Sequence, residues 1–183
     1  TLSRVNAGLW TITVSDNNGC LSFDSIQIDE PYPISANIEI LSPIVCYDSF
    51  GTALVSNVTG GTKKLTGTEY YYLWDGEMQH TGPKREDLKA GPHDVQIIDA
   101  NNCSRSIKFS LSQPTPIAFT IDSTVNIRCF EELNGRGYVT VSGGTPTYDR
   151  YIWFNEVGDS IGNNPNLLGV GSGKYKLAVV DHN

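Results

Sequence analysis

Several features common in enzymes and membrane proteins are missing from this sequence. Its 183 residues contain no run of 18 apolar residues, so no transmembrane segment is expected. No stretch shows the 3.6-residue hydrophobic period of an amphipathic helix. Lys and Arg number only 13 against 20 Asp and Glu, and the net charge of −7 argues against nucleic acid as a partner.

Patterns that carry chemistry are also scarce. The three histidines, His80, His93 and His182, are scattered, and none of the four cysteines belongs to a CxxC pair. A zinc site is therefore not expected. A nucleophilic enzyme needs a base and an orienting group beside its nucleophile, and no Ser-centred elbow is present. We expect no enzyme activity, no catalytic residue, no metal and no cofactor.

One short stretch occurs three times. It begins at Gly8, Gly91 and Gly173, and each copy has a ring two residues on, apolar residues at plus four and plus six, and an Asp at plus eight. Such alternation is typical of a strand with one buried face. The Asp-Asn cluster that follows favours a hairpin turn, because these side chains bond their own backbone. A calcium ion would need about 6–8 oxygen ligands, more than one such turn supplies.

The repeat covers the whole chain with one period. The interval from Cys20 to Cys103 equals the interval from Cys46 to Cys129, which sets the period at about 83. We predict that residues 1–31 are the last two strands of a truncated copy and that residues 32–114 form a complete copy. Residues 115–183 are then a copy that lacks its last strand.

The complete copy contains a series of short strands separated by turns. The strands are predicted at 34–41, 52–58, 70–74, 92–98 and 104–111, whereas 85–91 is predicted to be turn-like. A Trp on the third strand and turns every 8–12 residues favour tandem immunoglobulin-like β-sandwich repeats. We expect Trp74 and Trp153 to fill the core. Trp10, His93 and Tyr175 are expected at its edge, each with a hydrogen-bond partner for its polar tip.

Beyond these patterns, several segments resemble a known family. Cys129–Tyr148, Tyr151–Trp153, Asp16-Asn-Asn-Gly-Cys20 and Glu30-Pro31 resemble the SprB-type repeat. That repeat reads Cys-Phe-Gly, Val-Ser-Gly-Gly-Thr-Pro-Tyr, Trp, Val-x-Asp-x-Asn-Gly-Cys and Glu-Pro. The complete copy departs from it, with Tyr47-Asp48 where Phe-Gly is usual.

The resemblance implies a role outside the cell. SprB-type repeats build the shafts of very large cell-surface adhesins of gliding Bacteroidota, which the type 9 secretion system exports. It implies a structural stalk section at the cell surface, exported across the outer membrane. The implied partners are neighbouring repeats of the same chain, the outer-membrane gliding and secretion machinery, and extracellular surfaces or glycans.

Two alternatives come from different functional classes. The chain is either a glycan- or surface-binding β-sandwich module, with binding loops at 63–69 and 155–164, or an accessory domain of a secreted enzyme. Exposed Tyr or Trp side chains in those loops would favour the first alternative.

Two kinds of covalent modification are expected of an exported protein. A disulfide within the complete copy would join Cys46 to Cys103, and the alternative joins neighbouring copies as Cys20–Cys46 and Cys103–Cys129. Three Asp-Ser tripeptides resemble the O-glycosylation pattern of Bacteroidota exported proteins, although such tripeptides also arise by chance. The candidate residues are Ser25, Ser123 and Ser160.

Overall fold

The protein is all-β, as the sequence predicts. The computed structural model describes residues 3–64, 69–78 and 81–183, and these contain fourteen strands and no helix. The strands are β1 Gly8–Ser15, β2 Leu21–Ile28, β3 Ser35–Ser42, β4 Gly51–Thr59, β5 Tyr71–Trp74, β6 Lys84–Leu88, β7 Gly91–Ile98, β8 Ser104–Leu111, β9 Ala118–Val125, β10 Gly135–Ser142, β11 Arg150–Phe154, β12 Ser160–Gly162, β13 Leu167–Val170 and β14 Lys176–Val180.

Contacts along the chain define two compact units. The first contains residues 1–38, 55–83 and 94–107, and the second contains residues 39–54, 84–93 and 108–183. Strands β3, β4, β7 and β8 run through both units. The division into repeats at residues 1–31, 32–114 and 115–183 therefore stays a prediction.

The order of the strands within the sheets is that of an immunoglobulin-like sandwich. Strands β3-β4-β6 form one three-stranded sheet and β5-β7-β8 form another, which is the A-B-E and C-F-G arrangement of that fold. Of the following strands, β9-β10-β13 repeat the A-B-E sheet. In the sheet β12-β11-β14, strands β11 and β14 correspond to the C-F pair, and the short strand β12 lies on the other side of β11. Strands β1 and β2 form a separate two-stranded hairpin, with Gly8 opposite Ile28 and Ser15 opposite Leu21.

Side chains alternate between core and solvent along the buried strands, as a period of two requires. Tyr70, Tyr72 and Trp74 are buried, which confirms that they share one face, while Tyr71 between them is exposed. Trp153 is also buried, in a core cluster with Leu167 and Leu177. Each indole has a partner, since Trp74 Nε1 donates to Gly82 O at 2.9 Å and Trp153 Nε1 donates to Asn164 O at 3.1 Å.

The prediction of a turn in one short segment is wrong. The sequence predicts a turn at 85–91, but Lys84–Leu88 forms strand β6 opposite β4. Arg85 and Leu88 are both buried, although they are three residues apart, because the register shifts within this strand pair. Such an irregularity breaks the two-residue alternation by which a strand is recognised in sequence.

Candidate functional site

The most elaborate polar site in the complete copy is centred on Asp99. Its Oδ1 accepts the backbone N–H groups of Asn101 at 2.9 Å and Cys103 at 2.8 Å. Its Oδ2 accepts the N–H of Thr62 at 2.8 Å, and the residue is only 2% exposed. The Thr62 N–H is the main cause that lowers the pKa of Asp99 below its ordinary value. Desolvation opposes that shift, and the Cys103 and Asn101 N–H groups reinforce it.

The Gly60-Gly61 turn lies beside this carboxylate and holds the segment that leads into β3. The N–H of Gly61 donates to Tyr32 O at 2.7 Å. Both glycines have positive φ, 75° and 62°. A Cβ added to Gly60 would lie well inside 3.0 Å of Pro33 O, closer than real Cβ atoms approach. Glycine is therefore required here, both for its backbone conformation and for the close passage of the linker.

A tyrosine completes the arrangement. The hydroxyl of Tyr70 donates to Gly60 O at 2.6 Å, and Ala100 N–H donates to Thr62 O at 2.9 Å. Linker, turn, tyrosine and aspartate are thus joined by consecutive hydrogen bonds. We call this set the linker clamp; its members are Tyr32, Pro33, Gly60, Gly61, Thr62, Tyr70 and Asp99.

A second linker clamp occurs in the second unit. Gly144 N–H donates to Thr115 O at 2.8 Å, as Gly61 does to Tyr32. A Cβ added to Gly143, whose φ is 77°, would lie well inside 3.0 Å of Pro116 O. The close passage of a linker over a Gly-Gly turn is therefore repeated.

The side-chain bonds of the second clamp follow the first. Tyr148 Oη donates to Gly143 O at 2.8 Å, and Thr145 N–H donates to Asp181 Oδ2 at 3.1 Å. Asp181 Oδ1 accepts the N–H of Asn183 at 3.3 Å. The second clamp therefore consists of Thr115, Pro116, Gly143, Gly144, Thr145, Tyr148 and Asp181.

The hairpin β1–β2 has the turn but only part of the clamp. Asp16 Oδ1 accepts Asn18 N–H at 2.9 Å and Cys20 N–H at 2.8 Å, the same pair of bonds that Asp99 makes. The predicted hairpin turns are thus confirmed. Their carboxylates serve as acceptors for the backbone, and no group of three or more His, Cys, Asp or Glu residues with metal-ligand geometry occurs within the described ranges.

The three rings predicted at the core edge each make the same kind of contact, with a backbone carbonyl oxygen. Trp10 Nε1 donates to Asn6 O at 3.0 Å, His93 Nε2 lies 2.8 Å from Lys89 O, and Tyr175 Oη donates to Gly171 O at 3.0 Å. Each partner is four residues upstream. A carbonyl can only accept, so His93 carries its proton on Nε2. Such a corner ties the start of a strand to the preceding connection, as the tyrosine corner does in immunoglobulin-like folds.

The predicted disulfide is not formed in the structure. All four cysteines have free thiols. The pairing of Cys46 with Cys103 and the pairing between neighbouring copies, Cys20–Cys46 and Cys103–Cys129, therefore both stay predictions.

The candidate glycosylation sites all lie on exposed strand residues. Ser25 is in β2, Ser123 is in β9 and Ser160 begins β12. In β2, the N–H of Ser25 donates to Asp24 Oδ1 at 2.8 Å, and Ser25 itself is exposed. The positions are accessible to a modifying enzyme, and the modification itself stays a prediction.

The two predicted binding loops differ from an aromatic platform. In loop 63–69, residues 65–68 lie outside the described part of the chain. Lys63 forms an ion pair with Glu69 at 2.9 Å, and Lys64 Nζ lies 3.5 Å from the ring centroid of Tyr71, covering that exposed ring. Residues 155–164 contain the turn between β11 and β12, strand β12 and the two residues that follow it, and in the turn Asp159 N–H donates to Asn155 Oδ1 at 2.8 Å. This segment contains no Tyr or Trp.

Comparisons with known proteins identify no family for this chain. No protein-family model matches it, and it has no significant match among curated proteins. One solved structure, the three N-terminal domains of the Highly Immunogenic Outer Capsid protein (Hoc) of bacteriophage RB49, is 14% identical to it with a TM-score of 0.47. The match covers 82% of this chain and 55% of the Hoc chain. In the described part of the chain, no helix has the length and apolarity needed to cross a membrane.

Proposed function

We propose that this chain is a non-catalytic structural section of the stalk of a large secreted cell-surface adhesin. The observation that carries the proposal is the repeated linker clamp, which fixes the chain where it enters each of two successive sandwiches. A binding module needs one exposed site, whereas a stalk needs the same joint at every repeat.

The physical advantage of the clamp is stiffness at the junction. A free linker samples many backbone conformations, and fixing each residue costs roughly 1–2 kcal/mol of conformational entropy. Tyr32 and Thr115 are held by their carbonyls, and Pro33 and Pro116 have a restricted φ that limits the freedom of the linker in advance. Tension along the chain is then transmitted into hydrogen-bonded strands.

A contact inside the second unit supports a role for neighbouring repeats as partners. Thr145 of the second linker clamp donates its hydroxyl to Val45 O at 3.4 Å. Cys46 Sγ donates to Asn183 O at 3.6 Å. The turn that precedes β4 therefore lies against the clamp end of the following sandwich.

Export and surface location belong to the same proposal. It includes passage through type 9 secretion, contact with the outer-membrane gliding machinery, and glycosylation of Ser25, Ser123 and Ser160. The whole adhesin then adheres to extracellular surfaces or glycans through other parts of the polypeptide. Intact-mass measurement of protein isolated from the cells that make it tests the glycosylation. A mass equal to that of the bare chain would remove this part of the proposal.

Two measurements test the function itself. Antibodies raised against the 183-residue chain should label intact cells that make the protein, and brief external protease should remove the label. The purified chain should bind no member of a glycan array, because the proposal assigns adhesion to other parts of the polypeptide. Labelling only after cell lysis would contradict the stalk, and specific glycan binding by this chain would favour the binding module instead.

A further inference from the structure

A small pocket lies in the first unit, beside strand β5. Its volume is about 310 Å³, at the lower end of the range of about 300–1,000 Å³ that ligand pockets have. Its wall consists of two tyrosines, one carboxylate residue and two apolar residues: Val58, Glu69, Tyr70, Tyr72 and Pro83. All five lie within residues 55–83, so the interior of the chain alone builds the pocket.

The hydroxyl of Tyr72 is the polar group that this pocket offers. Tyr72 is only 8% exposed, and in the described part of the chain its Oη has no hydrogen-bond partner. Its neighbour on the same face, Tyr70, donates its own hydroxyl to Gly60 O at 2.6 Å. Burial raises the pKa of Tyr72 above its ordinary value, and the nearby Tyr70 and Glu69 add to this rise, so the phenol is neutral at physiological pH. A buried hydroxyl without a partner favours a ligand that hydrogen-bonds to it.

The second sandwich has the same two tyrosines in a different arrangement. Tyr148 is the counterpart of Tyr70, because each donates its hydroxyl to the first glycine of a linker clamp. Tyr151 is the counterpart of Tyr72, because each comes two residues before the core Trp. The rings of Tyr148 and Tyr151 are in edge-on contact, with 6.1 Å between their centroids.

The complete copy has a pocket where the second sandwich has this ring contact. Among the residues that the structure describes, no ring contact joins Tyr70 to Tyr72, and both rings border the pocket. Edge-on contacts between aromatic rings are favourable. An aromatic ring from a ligand would therefore supply a contact that the second sandwich makes internally.

Glu69 adds a negative charge to the pocket wall. Its Oε2 forms the ion pair with Lys63 Nζ at 2.9 Å, whereas its Oε1 has no hydrogen-bond partner among the described residues. The side chain is 56% exposed, so the carboxylate is open to solvent. A phenol oxygen accepts hydrogen bonds, and the faces of tyrosine rings attract cations. Carboxylate, phenol and rings together favour a ligand that carries a positive charge.

We propose that this pocket binds a small aromatic ammonium ion, an arylalkylamine of about the size of 2-phenylethylamine. The ring of the ligand packs against Tyr70 and the apolar side chains of Val58 and Pro83. Its ammonium group donates to Tyr72 Oη and is attracted by the Glu69 carboxylate. The volume of about 310 Å³ accommodates a ring with a short chain, which assigns the site to a free small molecule. This inference stands apart from the proposed stalk function.

Titration of the whole chain with 2-phenylethylammonium chloride is the direct test, followed by amide chemical shifts at neutral pH and constant ionic strength. We expect saturable shifts at the Val58, Tyr70 and Tyr72 amides, with a dissociation constant in the millimolar range because the ligand has few heavy atoms. The control ligand is 2-phenylethanol, which has the same ring and chain without the charge. It should bind at least about tenfold more weakly, since it loses the attraction to the carboxylate and the rings.

Two variants that lack one hydroxyl each locate the hydrogen bond. Tyr72→Phe keeps the ring and should weaken binding of the amine at least about fivefold. Tyr71→Phe is the matched control, because Tyr71 is 45% exposed and does not line the pocket; it should bind like the unmodified chain. Circular dichroism checks that both variants remain folded.

A second pair of variants locates the charge. Glu69→Gln should weaken binding of 2-phenylethylammonium and leave that of 2-phenylethanol unchanged, because only the amine is attracted by the carboxylate. Glu39→Gln, in β3 and outside the pocket wall, removes the same charge elsewhere and should change neither.

A peptide arm distinguishes the source of the ammonium group. A dipeptide amide that begins with Phe carries the same ring and ammonium group at a peptide N-terminus, and it should bind more weakly because the pocket holds little beyond one ring. Tighter binding of the dipeptide would overturn the assignment to a small molecule. Absence of saturable shifts, equal affinity for amine and alcohol, or equal affinity of the Tyr72→Phe and Tyr71→Phe variants would each overturn the inference as a whole.

Discussion

The β1–β2 hairpin and the β7–β8 hairpin have the same sequence pattern but very different surroundings. Ile12 and Val14 of β1 are 60% and 58% exposed, whereas Val95 and Ile97, at the equivalent positions of β7, are fully buried. Both hairpins have the same Asp-centred turn, in which one carboxylate oxygen accepts the same two backbone N–H groups. The turn therefore forms locally, and the burial of the apolar face depends on the other strands of a sandwich.

This difference distinguishes what the local sequence specifies in each repeat from what the rest of the sandwich supplies. Local turn chemistry and two-residue alternation specify a hairpin with one apolar face. A two-stranded hairpin by itself is marginally stable in water, and further strands are needed to make it independently stable. The linker clamp adds a third level in the complete copy, because it ties the turn at Asp99 to the incoming chain.

Gly60→Ala should reduce the stability of the protein more than the other variants. It disrupts the contact between turn and linker in the linker clamp, which the β1–β2 hairpin lacks. The added methyl group would overlap Pro33 O and occupy a positive φ. We expect a loss of about 4 kcal/mol, from roughly 1–2 for the left-handed backbone and up to about 3 for overpacking. The free energy of opening measured by hydrogen exchange at the β7 amides gives this value.

Gly76→Ala is the matched control. Gly76 has φ 77°, close to the 75° of Gly60, but a Cβ there would meet nothing within 4 Å. It should therefore cost only the roughly 1–2 kcal/mol of the backbone conformation. Equal losses in the two variants would mean that the linker is not held against Gly60.

Ile97→Ala and Val14→Ala compare the two hairpins directly. Ile97 is fully buried, so its truncation should cost about 3 kcal/mol, as for other buried Ile or Leu residues. Val14 is 58% exposed, and its truncation should change stability by less than about 0.5 kcal/mol. Urea unfolding followed by fluorescence and by hydrogen exchange checks both. Similar losses would show that the β1–β2 face is covered in solution.

Asp99→Asn should change how the free energy of unfolding depends on pH in the acid range. The pKa of Asp99 is lowered, so the ionised carboxylate stabilises the fold above the ordinary Asp pKa. This contribution is lost as the pH falls through that value towards the lower pKa of the folded state. The variant should be less stable than the unmodified chain at neutral pH, and the gap should close in acid. A gap independent of pH would contradict the assigned role of the Thr62 N–H.

Tyr175→Phe should have the smallest effect. It removes only the hydroxyl that donates to Gly171 O and leaves the ring in place. A single hydrogen bond of this kind contributes about 1 kcal/mol. Thermal unfolding of the second sandwich measures it, and an unchanged melting temperature would show that the corner bond adds nothing beyond the packing of the ring.

Most strands can be predicted because their patterns are local. The sequence predicts the last strand of the complete copy at 104–111, and the structure has Ser104–Leu111; the strand before it is predicted at 92–98 and is Gly91–Ile98. Alternating apolar residues and flanking turn residues suffice for such elements. Strand β6 escapes prediction, because its burial of Arg85 and Leu88 depends on an irregular register with β4.

The linker clamp cannot be predicted from the turn residues alone. The Gly-Gly pairs at 60–61 and 143–144 recur with the period of the repeat, but their contact with the linker is tertiary. One signal is present in the sequence, since Pro33 and Pro116 are separated by the same interval as the two Gly-Gly pairs. The linker Pro and the Gly-Gly turn are therefore the same number of residues apart in both copies. Their close backbone approach, however, is visible only in the structure.

Hydrogen exchange at the Gly61 and Gly144 amides tests the linker clamps most directly. Each of these N–H groups donates to a linker carbonyl, so both should exchange as slowly as the amides of the neighbouring core strands. If they exchange at the rate of an unstructured peptide while the β7 and β14 amides stay protected, the linkers are free and the clamps do not exist in solution.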